Sequence, residues 1–347
     1  MAFLPAVLLL ALLVSPFAQA TNFTTPDPLA IDNDKQSSAS PESVKFSAAN
    51  LERHLQRFVK TPHPIGSAAQ KSLALDIKAT LVKSGWDAQI VKFKTTIPKL
   101  SAQRFGGKEK EASLTQEIFA ENIVATLRGG ERCSVIIGGH YDTKFFRNMH
   151  FVGANDGGSS TTIMQELARV ITQVKQHESA SVKNTGRLID CSVVLAFFDG
   201  EEANLPEWED GKKILGLQDN LYGSRAFAEG IERKFEGPVF QNLPIKLALV
   251  IDMVGHKNQT LFITAGSHPQ LSQKLLSVAG NTAISAVNLQ IEDDHIPFLQ
   301  KGVSVVHVID WTNLNEWHTQ NDKLNIISNK NMQDFGDLLI RFLQQKR

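Results

Sequence analysis

The stretch CSVVLAFFDGEE, from Cys191 to Glu202, is a run of apolar residues that ends in three acidic side chains. A second stretch, CSVIIGGHYD from Cys133 to Asp142, has the same form. Short apolar runs bounded by turn residues are typical of strands that are buried on both faces, as in parallel sheets. The two stretches therefore predict two strands of one buried sheet.

Further apolar runs alternate with helical patterns along the rest of the chain. The runs NIVATLR, KLALVIDM and VSVVHVI are typical of strands, whereas TTIMQELARVITQVKQ and NMQDFGDLLIRFLQQ repeat apolar residues at helical spacing. This alternation predicts an α/β fold, a single domain with a central mostly parallel, mixed β-sheet and helices on both faces. We expect the polar stretch NLPEWEDGKKILGLQ to be a loop inserted after a strand.

The first twenty residues differ from the rest of the sequence. The apolar run AVLLLALLV is followed by Ala18-Gln19-Ala20, which fits the small-x-small cleavage pattern of a secretory signal. The run is short for a membrane span. No Lys or Arg precedes it, and an uncleaved anchor or a wrongly assigned start are the alternatives. We expect a signal peptide at 1–20, a disordered leader at 21–45 and one folded domain at 46–347. The mature protein would be secreted or periplasmic, without stable membrane insertion.

The charge of the chain is balanced, with 36 Lys and Arg residues against 36 Asp and Glu residues. No basic stripe stands out in the sequence, and a protein whose main function is nucleic-acid binding usually carries one. We therefore expect no nucleic-acid partner.

The two cysteines, Cys133 and Cys191, open the two apolar runs. If those runs are neighbouring parallel strands, both cysteines lie at the same end of the sheet. A disulfide can then form in an oxidising compartment, and two separate buried thiols are the alternative. The residues alone do not decide between the two.

Acidic and imidazole side chains recur where the strands end. In open α/β sheets, functional groups gather beyond the carboxyl ends of the strands. One acid in such a place is usually a helix cap or a surface residue, but here several strand ends carry such residues. In chain order they are His140 and Asp142, then Asp199, Glu201 and Glu202, then Asp252, and then His318 after a loop, with Asp156 in a glycine-rich loop before a helix.

The residue types point to a metal site. Histidine and carboxylates without cysteine suit zinc at an open catalytic site, where one position stays free for substrate or water. The chain has no HExxH, GxSxG, Walker or GxGxxG motif, which argues against the functions those motifs serve. In an extended segment adjacent side chains point to opposite faces. One carboxylate of the Glu201-Glu202 pair can therefore bind metal while the other faces the substrate.

Seven motifs carry a resemblance to a known family. They are, in order, GGHYDTK, FVGANDGGSS, FFDGEEA, DNLYGSR, LVIDMVG, DDHIPFLQKGVSVVHVI and EWHTQND. Together they resemble the zinc peptidase M28 superfamily and, more closely, its glutaminyl-peptide cyclotransferase (glutaminyl cyclase) branch. The resemblance covers most of the chain after the leader. It implies a zinc-aminopeptidase-like fold and an enzyme that acts on peptides or proteins with a free N-terminus.

The resemblance also implies roles for individual residues. In the cyclase branch a single zinc would be held by Asp156, Glu202 and His318. In the aminopeptidases a second zinc would be held by His140 and Asp252, with Asp156 bridging the two ions. The remaining implied roles are Glu201 as general acid/base, Asp252 and Asp293 as a hydrogen-bonded acidic pair, Trp208, Trp317 and Ile291 as walls of the substrate pocket, and His295 and His307 as structural residues nearby.

Two functions therefore follow from the resemblance. The first is a glutaminyl cyclase, which converts an N-terminal Gln to pyroglutamate and releases ammonia. The alternative is a di-zinc aminopeptidase, and a catalytically dead binding module is a third hypothesis that the intact metal and acid positions argue against. We expect a monomer. The sequence departs from the cyclases at Gly139, where animal enzymes have a cysteine, and at Asn313, where the cyclases have an aromatic residue.

Overall fold

One eight-stranded sheet runs through the folded part of the protein. The computed structural model describes residues 44–99, 114–178, 185–233 and 243–347. The predicted signal peptide and most of the predicted leader lie outside the described residues. Within the described residues, no helix combines the length and the apolar character needed to cross a membrane.

The strand order in the sheet is β1-β2-β4-β3-β5-β8-β6-β7. The central strands β4, β3, β5 and β8 are parallel to one another. β1 and β2 are antiparallel to their neighbours, and β6 is antiparallel to β8. This confirms the predicted mixed sheet with a parallel centre. The strands are β1 (Asp87–Pro98), β2 (Thr115–Leu127), β3 (Ser134–His140), β4 (Ser192–Phe198), β5 (Ile245–Asp252), β6 (Leu261–Ile263), β7 (Ile284–Ala286) and β8 (Val305–Ile309).

Helices follow the amphipathic patterns of the sequence. Ser47 and Ser67 cap the first two helices by accepting backbone N–H groups of Asn50 and Gln70, as expected for serine at this position. The stretch NLPEWEDGKKILGLQ is not entirely a loop, because it contains a short helix that ends at Gly216 with a φ of 64°. The helices of the described residues are α1 (Ala48–Phe58), α2 (Ala68–Lys83), α3 (Gly158–His177), α4 (Asp210–Leu215), α5 (Tyr222–Arg233), α6 (Pro269–Ser277), α7 (Ile296–Gln300) and α8 (Asn329–Leu343).

The core lies on both faces of the sheet. Successive side chains of a strand point to opposite faces, so Ile137 of β3 packs on one side, with α1, α2, α3 and α8. Its neighbour Ile136 packs on the other side, with Phe227 of α5 and Phe298 of α7. All residues of β3 and β4 are buried. This double burial explains why these strands consist of continuous apolar runs rather than alternating ones.

Cys133 and Cys191 form a disulfide, with an S–S distance of 1.98 Å and a Cα–Cα distance of 4.8 Å. The register explains the pairing, because Ser134 of β3 lies opposite Ser192 of the parallel strand β4. The two cysteines therefore stand side by side where these strands begin. The disulfide lies at the amino end of the strands, away from the edge that carries the acidic side chains.

Candidate active site

The parallel register brings the polar strand ends together. His140 is the last residue of β3, and Asp252 is the last residue of β5. Asp199 follows β4 directly, and the chain after β8 leads to His318. Because parallel strands end at one edge of the sheet, His140, Asp252 and the loops that lead to Glu202 and His318 surround one cleft. Asp199 lies outside it and accepts the backbone N–H of Glu121 at 2.9 Å. The predicted site residues therefore meet in space.

Asp156 belongs to two groups of side chains that could each hold a metal ion. One group is Asp156, Glu202 and His318, and the other is His140, Asp156 and Asp252. In each group the ligand atoms lie within 4.8 Å of one another. His318 Nε2 lies 2.9 Å from Glu202 Oε1 and 3.4 Å from Asp156 Oδ2. His140 Nε2 lies 3.2 Å from both Asp156 Oδ1 and Asp252 Oδ1.

The two groups fit a metal ion by their unsatisfied oxygens. Asp156 Oδ2 and Glu202 Oε2 are buried and accept no hydrogen bond of normal geometry within the described residues; their nearest donors are His318 Nε2 at 3.4 Å and Lys144 Nζ at 3.7 Å. A buried carboxylate oxygen without a partner is costly, and a cation bound there would remove that cost. Imidazole nitrogen and carboxylate oxygen are also a ligand set that divalent metals accept. The residues present therefore fit a metal in either group.

Nearby carboxylates raise the pKa of both histidines, His318 and His140. Burial alone would lower the pKa of His318, but the negative charges of Glu202 and Asp156 raise it to about 9. Burial would likewise lower the pKa of His140, but hydrogen bonds to three carboxylates raise it well above its usual value. His318 also has a φ of 54°, a backbone conformation that is strained for a residue with a side chain.

The Asp156 loop is held by a residue that the sequence reading did not single out. Asp322 accepts the backbone N–H groups of Asn155 at 2.7 Å and Asp156 at 3.1 Å. Burial and the nearby charge of Asp156 raise the pKa of Asp322 to about 7. Asp322 ends the motif EWHTQND, and its place in that motif was the available signal. It ties the loop of His318 to the loop of Asp156.

The backbone of Glu201 is held in place by hydrogen bonds to Asp142. Its N–H donates to Asp142 Oδ1 at 3.0 Å, and the next N–H, of Glu202, lies 3.4 Å from Asp142 Oδ2. Gly200 has a φ of 74°, and a Cβ there would lie 2.3 Å from Ile65 Cδ1, so the turn requires glycine. Burial, with the charges of nearby acids, raises the pKa of the Glu201 carboxyl well above its usual value. Asp142 thus orients both adjacent glutamates.

Asp252 and Asp293 face the same cavity, but each bonds a histidine of its own. Asp252 pairs with His140, and burial raises the pKa of Asp252 to about 6. Asp293 Oδ2 lies 2.8 Å from His307 Nε2. Burial would raise the pKa of Asp293, but the charge and hydrogen bond of His307 lower it to about 2. His295 stacks on His307 with ring centroids 4.0 Å apart. The two histidines therefore support the acidic side of the cavity.

A cavity of about 630 Å³ opens over these groups. Trp208, Trp317 and Ile291 line it, together with Glu201, Asp252, Asp293 and the metal-binding group of His318. Trp317 stacks on His318 with ring centroids 3.9 Å apart. The sequence reading missed Trp311, which also lines the cavity and contacts Trp317 at 5.3 Å between ring centroids.

Lys144 is a second lining residue that the sequence reading did not name. It is buried, and its Nζ donates to the carbonyl oxygens of Ala203 at 3.0 Å and Leu205 at 3.3 Å. It also lies 3.7 Å from Glu202 Oε2. Its place in the motif GGHYDTK was the signal that could have found it. Lys144 thereby holds the chain that follows the glutamate pair.

Comparisons with known proteins agree with this geometry. The family model of peptidase family M28 matches residues 122–343. A glutaminyl-peptide cyclotransferase-like protein of Bos taurus is 28% identical over 287 residues, which cover 76% of this chain and 66% of the relative. The matched stretch therefore spans just under two thirds of that relative's length.

Solved structures share the fold. The glutaminyl cyclase of Fimbriiglobus ruber superposes with a TM-score of 0.67 at 23% identity, covering 87% of this chain and 96% of that one. A leucine aminopeptidase precursor of Bacteroides thetaiotaomicron gives 0.66 at 16% identity, covering 87% and 98%. The predicted resemblance to this superfamily is confirmed, and the chain belongs to peptidase family M28.

Proposed function

We propose that this chain is a zinc-dependent glutaminyl-peptide cyclotransferase, which converts the N-terminal Gln of peptides to pyroglutamate and releases ammonia. The observation that carries the proposal is the cavity in which Glu201, Asp252 and Asp293 face a metal-binding group between tryptophan walls. The name of the Bos taurus relative supports the same activity. Shared fold alone would not select it, because one fold serves several reactions.

In this proposal Asp156, Glu202 and His318 hold one zinc ion. A zinc ion in that place supplies Lewis-acid polarisation of the side-chain amide carbonyl of the substrate. The ligands are pre-arranged by neighbours within the chain. Asp322 holds the backbone of Asp156, and Trp317 stacks on His318.

Glu201 carries the proton in the reaction. It removes a proton from the α-ammonium group of the N-terminal Gln, and the freed amine attacks the side-chain amide carbon of the same residue. A bond forms between the amine nitrogen and that carbon, and the bond from the carbon to the amide nitrogen breaks. Glu201 then gives that proton to the departing amide nitrogen. The ring nitrogen loses its second proton through Glu201 to the released ammonia, which leaves as ammonium, and no water is consumed. Because both reacting groups belong to one residue, the enzyme mainly supplies orientation.

The remaining lining residues bind and orient. Asp252 and Asp293 are acceptors for the α-ammonium group before it loses its proton. Trp208, Trp317 and Ile291 enclose the side chain of the substrate Gln and exclude water from it. Each acid is oriented by a buried histidine, His140 for Asp252 and His307 for Asp293.

A di-metal aminopeptidase is the second candidate, and a specific observation favours it. His140, Asp156 and Asp252 form a metal-binding group of their own. In that enzyme Glu201 would take a proton from a water that attacks the first peptide bond. Two zinc ions would then be bound per chain, against one in the cyclase.

Product analysis separates the two functions. Purified protein with zinc is incubated with a Gln-initiated peptide and with a Leu-initiated peptide of otherwise identical sequence. The masses of the products are then measured by mass spectrometry. We expect the Gln peptide to lose the mass of ammonia and the Leu peptide to stay intact. Release of free Leu would instead establish the aminopeptidase.

We also infer an exported protein from the first twenty residues, with a leader at 21–45 and a catalytic domain at 46–347 that acts as a monomer. The signal-like run and the Cys133–Cys191 disulfide support export, because disulfides persist in oxidising compartments. N-terminal sequencing of the exported protein should begin at Thr21, and a mature protein that keeps residues 1–20 would contradict this.

A further inference from the structure

The mouth of the cavity carries two acidic side chains beside Trp208. Glu207 and Glu292 both line the cavity. Glu292 Oε2 accepts the indole N–H of Trp208 at 3.0 Å, and Gln218 lies 3.4 Å from the other oxygen. Glu207 is exposed, and its carboxylate forms no ion pair within the described part of the chain. We call Glu207 and Glu292 the acidic rim.

Three positive charges lie near the acidic rim, and none of them occupies it fully. Arg225 interacts with the charge of Glu292, but its guanidinium donates to the carbonyl oxygens of Gln218 at 3.2 Å and Asn220 at 2.8 Å. Lys144 lines the cavity, but it is buried and directed at the carbonyl groups of Ala203 and Leu205. Lys212 lies 3.8 Å from Glu292 and 3.4 Å from Glu209, and its side chain is 46% exposed. Exposed ion pairs of this kind are weak and easily exchanged. A cationic ligand group can therefore replace Lys212 at Glu292 and has free access to Glu207.

An independent observation shows where a ligand must reach. Asp156 and Glu202 line the cavity, and each has one buried oxygen, Oδ2 and Oε2, that accepts no hydrogen bond of normal geometry among the described residues. A peptide whose first residue extends to this metal-binding floor places its second residue nearer to the mouth, since successive residues of an extended chain are roughly 3.5 Å apart. The side chain of the second residue is then the part of the substrate that meets the acidic rim.

We propose that the acidic rim makes the enzyme prefer peptides with Arg or Lys directly after the N-terminal residue and disfavour those with Asp or Glu. This inference rests on the proposed function for the identity of the first residue only. Opposite charge at the mouth raises the rate of productive encounter, and like charge excludes the wrong substrate. Because the rim is partly exposed, salt weakens the preference.

Three peptides test the inference: Gln-Arg-Ala-Ala, Gln-Ala-Ala-Ala and Gln-Glu-Ala-Ala, each with an amidated C-terminus. We expect kcat/KM for the Arg peptide to exceed that for the Glu peptide by roughly tenfold at low salt, as is reasonable for two partly exposed charges. The ratio should shrink toward unity at high salt. Equal kcat/KM values at low salt, or a preference for the Glu peptide, would overturn the inference.

Matched variants locate the preference in the rim. Glu207→Gln and Glu292→Gln each remove one charge, and glutamine at 292 keeps an oxygen acceptor for the Trp208 indole. Each variant should reduce the Arg-to-Glu ratio about threefold, as expected if two similar charges share the effect. The control Glu117→Gln, on β2 and paired with Lys94, lies outside the cavity lining and should leave the ratio unchanged. A ratio that no rim variant alters would refute the assignment.

The outcomes also separate this inference from the proposed function. Equal cyclisation of all three peptides would keep the cyclase and discard the rim preference. Release of a free N-terminal residue would discard the cyclase. The Arg-to-Glu ratio of kcat/KM would then be measured on peptides that begin with Leu. If no peptide is turned over, calorimetric affinities for the three peptides decide, with tighter binding of the Arg peptide expected.

Discussion

Breaking the Cys133–Cys191 disulfide should destabilise the protein without damaging the site. The bridge closes a loop with a sequence separation of 58 residues. The loss of loop-closure entropy in the unfolded chain, calculated for a loop of that length, stabilises the folded state by about 4 kcal/mol. The perturbation is the double variant C133A/C191A, with the reduced wild-type protein as a control that keeps both sulfur atoms in the core.

The site lies at the other end of the same strands. Six residues of β3, Ser134 to Gly139, lie between Cys133 of the bridge and His140, a distance of about 20 Å at strand spacing. We therefore expect the folded variant to keep its metal content and its turnover of Gln peptides at temperatures well below its unfolding midpoint.

Urea unfolding followed by circular dichroism measures how much the loss of the disulfide lowers the free energy of unfolding. The oxidised wild type should unfold at higher urea than both the double variant and the reduced protein, with a difference near 4 kcal/mol in the free energy of unfolding. A difference below about 1 kcal/mol would refute the entropic reasoning. A well-folded variant that no longer binds metal would refute the separation of bridge and site.

Three further variants probe the site and its support. Glu201→Gln should abolish turnover while metal analysis still finds one ion per chain, and loss of the metal would contradict its role as proton carrier. Burial lowers the pKa of His63 to about 4, below its unfolded value, so protonation favours the unfolded chain and stability falls as pH drops from about 6.5 toward 4. The wild type should lose about 2 kcal/mol between pH 7 and pH 5 that His63→Gln does not lose, and equal pH slopes in urea unfolding would exclude this. Lys144→Met leaves two carbonyls without their donor and should lower the free energy of unfolding by about 2 kcal/mol, with a raised KM. Thermal unfolding measures the change, and an unchanged melting temperature would show that these contacts do not stabilise the fold.

The long buried strands could be predicted from the sequence because a strand that is buried on both faces consists of a continuous apolar run. β3, β4, β5 and β8 were all found in this way. β6 and β7, of three residues each, are too short for a periodic signal. The helix Asp210–Leu215 was also missed, because it sits in a stretch dominated by polar residues and glycine.

The meeting of the candidate metal ligands could be predicted because His140 and Asp252 end strands, Glu202 closely follows one, and parallel strands end together. The state of Cys133 and Cys191 could not, because it depends on the register between β3 and β4. Trp311 was missed for a similar reason, and the motifs that contain Lys144 and Asp322 mark these residues without showing what they contact. Their contacts depend on how loops fold over the sheet edge, and no spacing in the sequence encodes that.

Isotope-labelled product analysis tests the proposed cyclase most directly. Zinc-loaded protein is incubated with a Gln-initiated peptide in water enriched in oxygen-18, and ammonia, free amino acids and the peptide mass are measured together. We predict one ammonia per peptide consumed, no free glutamine, and no label in the product, because ring closure consumes no water. Free glutamine together with a shortened peptide carrying an unblocked N-terminus would contradict the account.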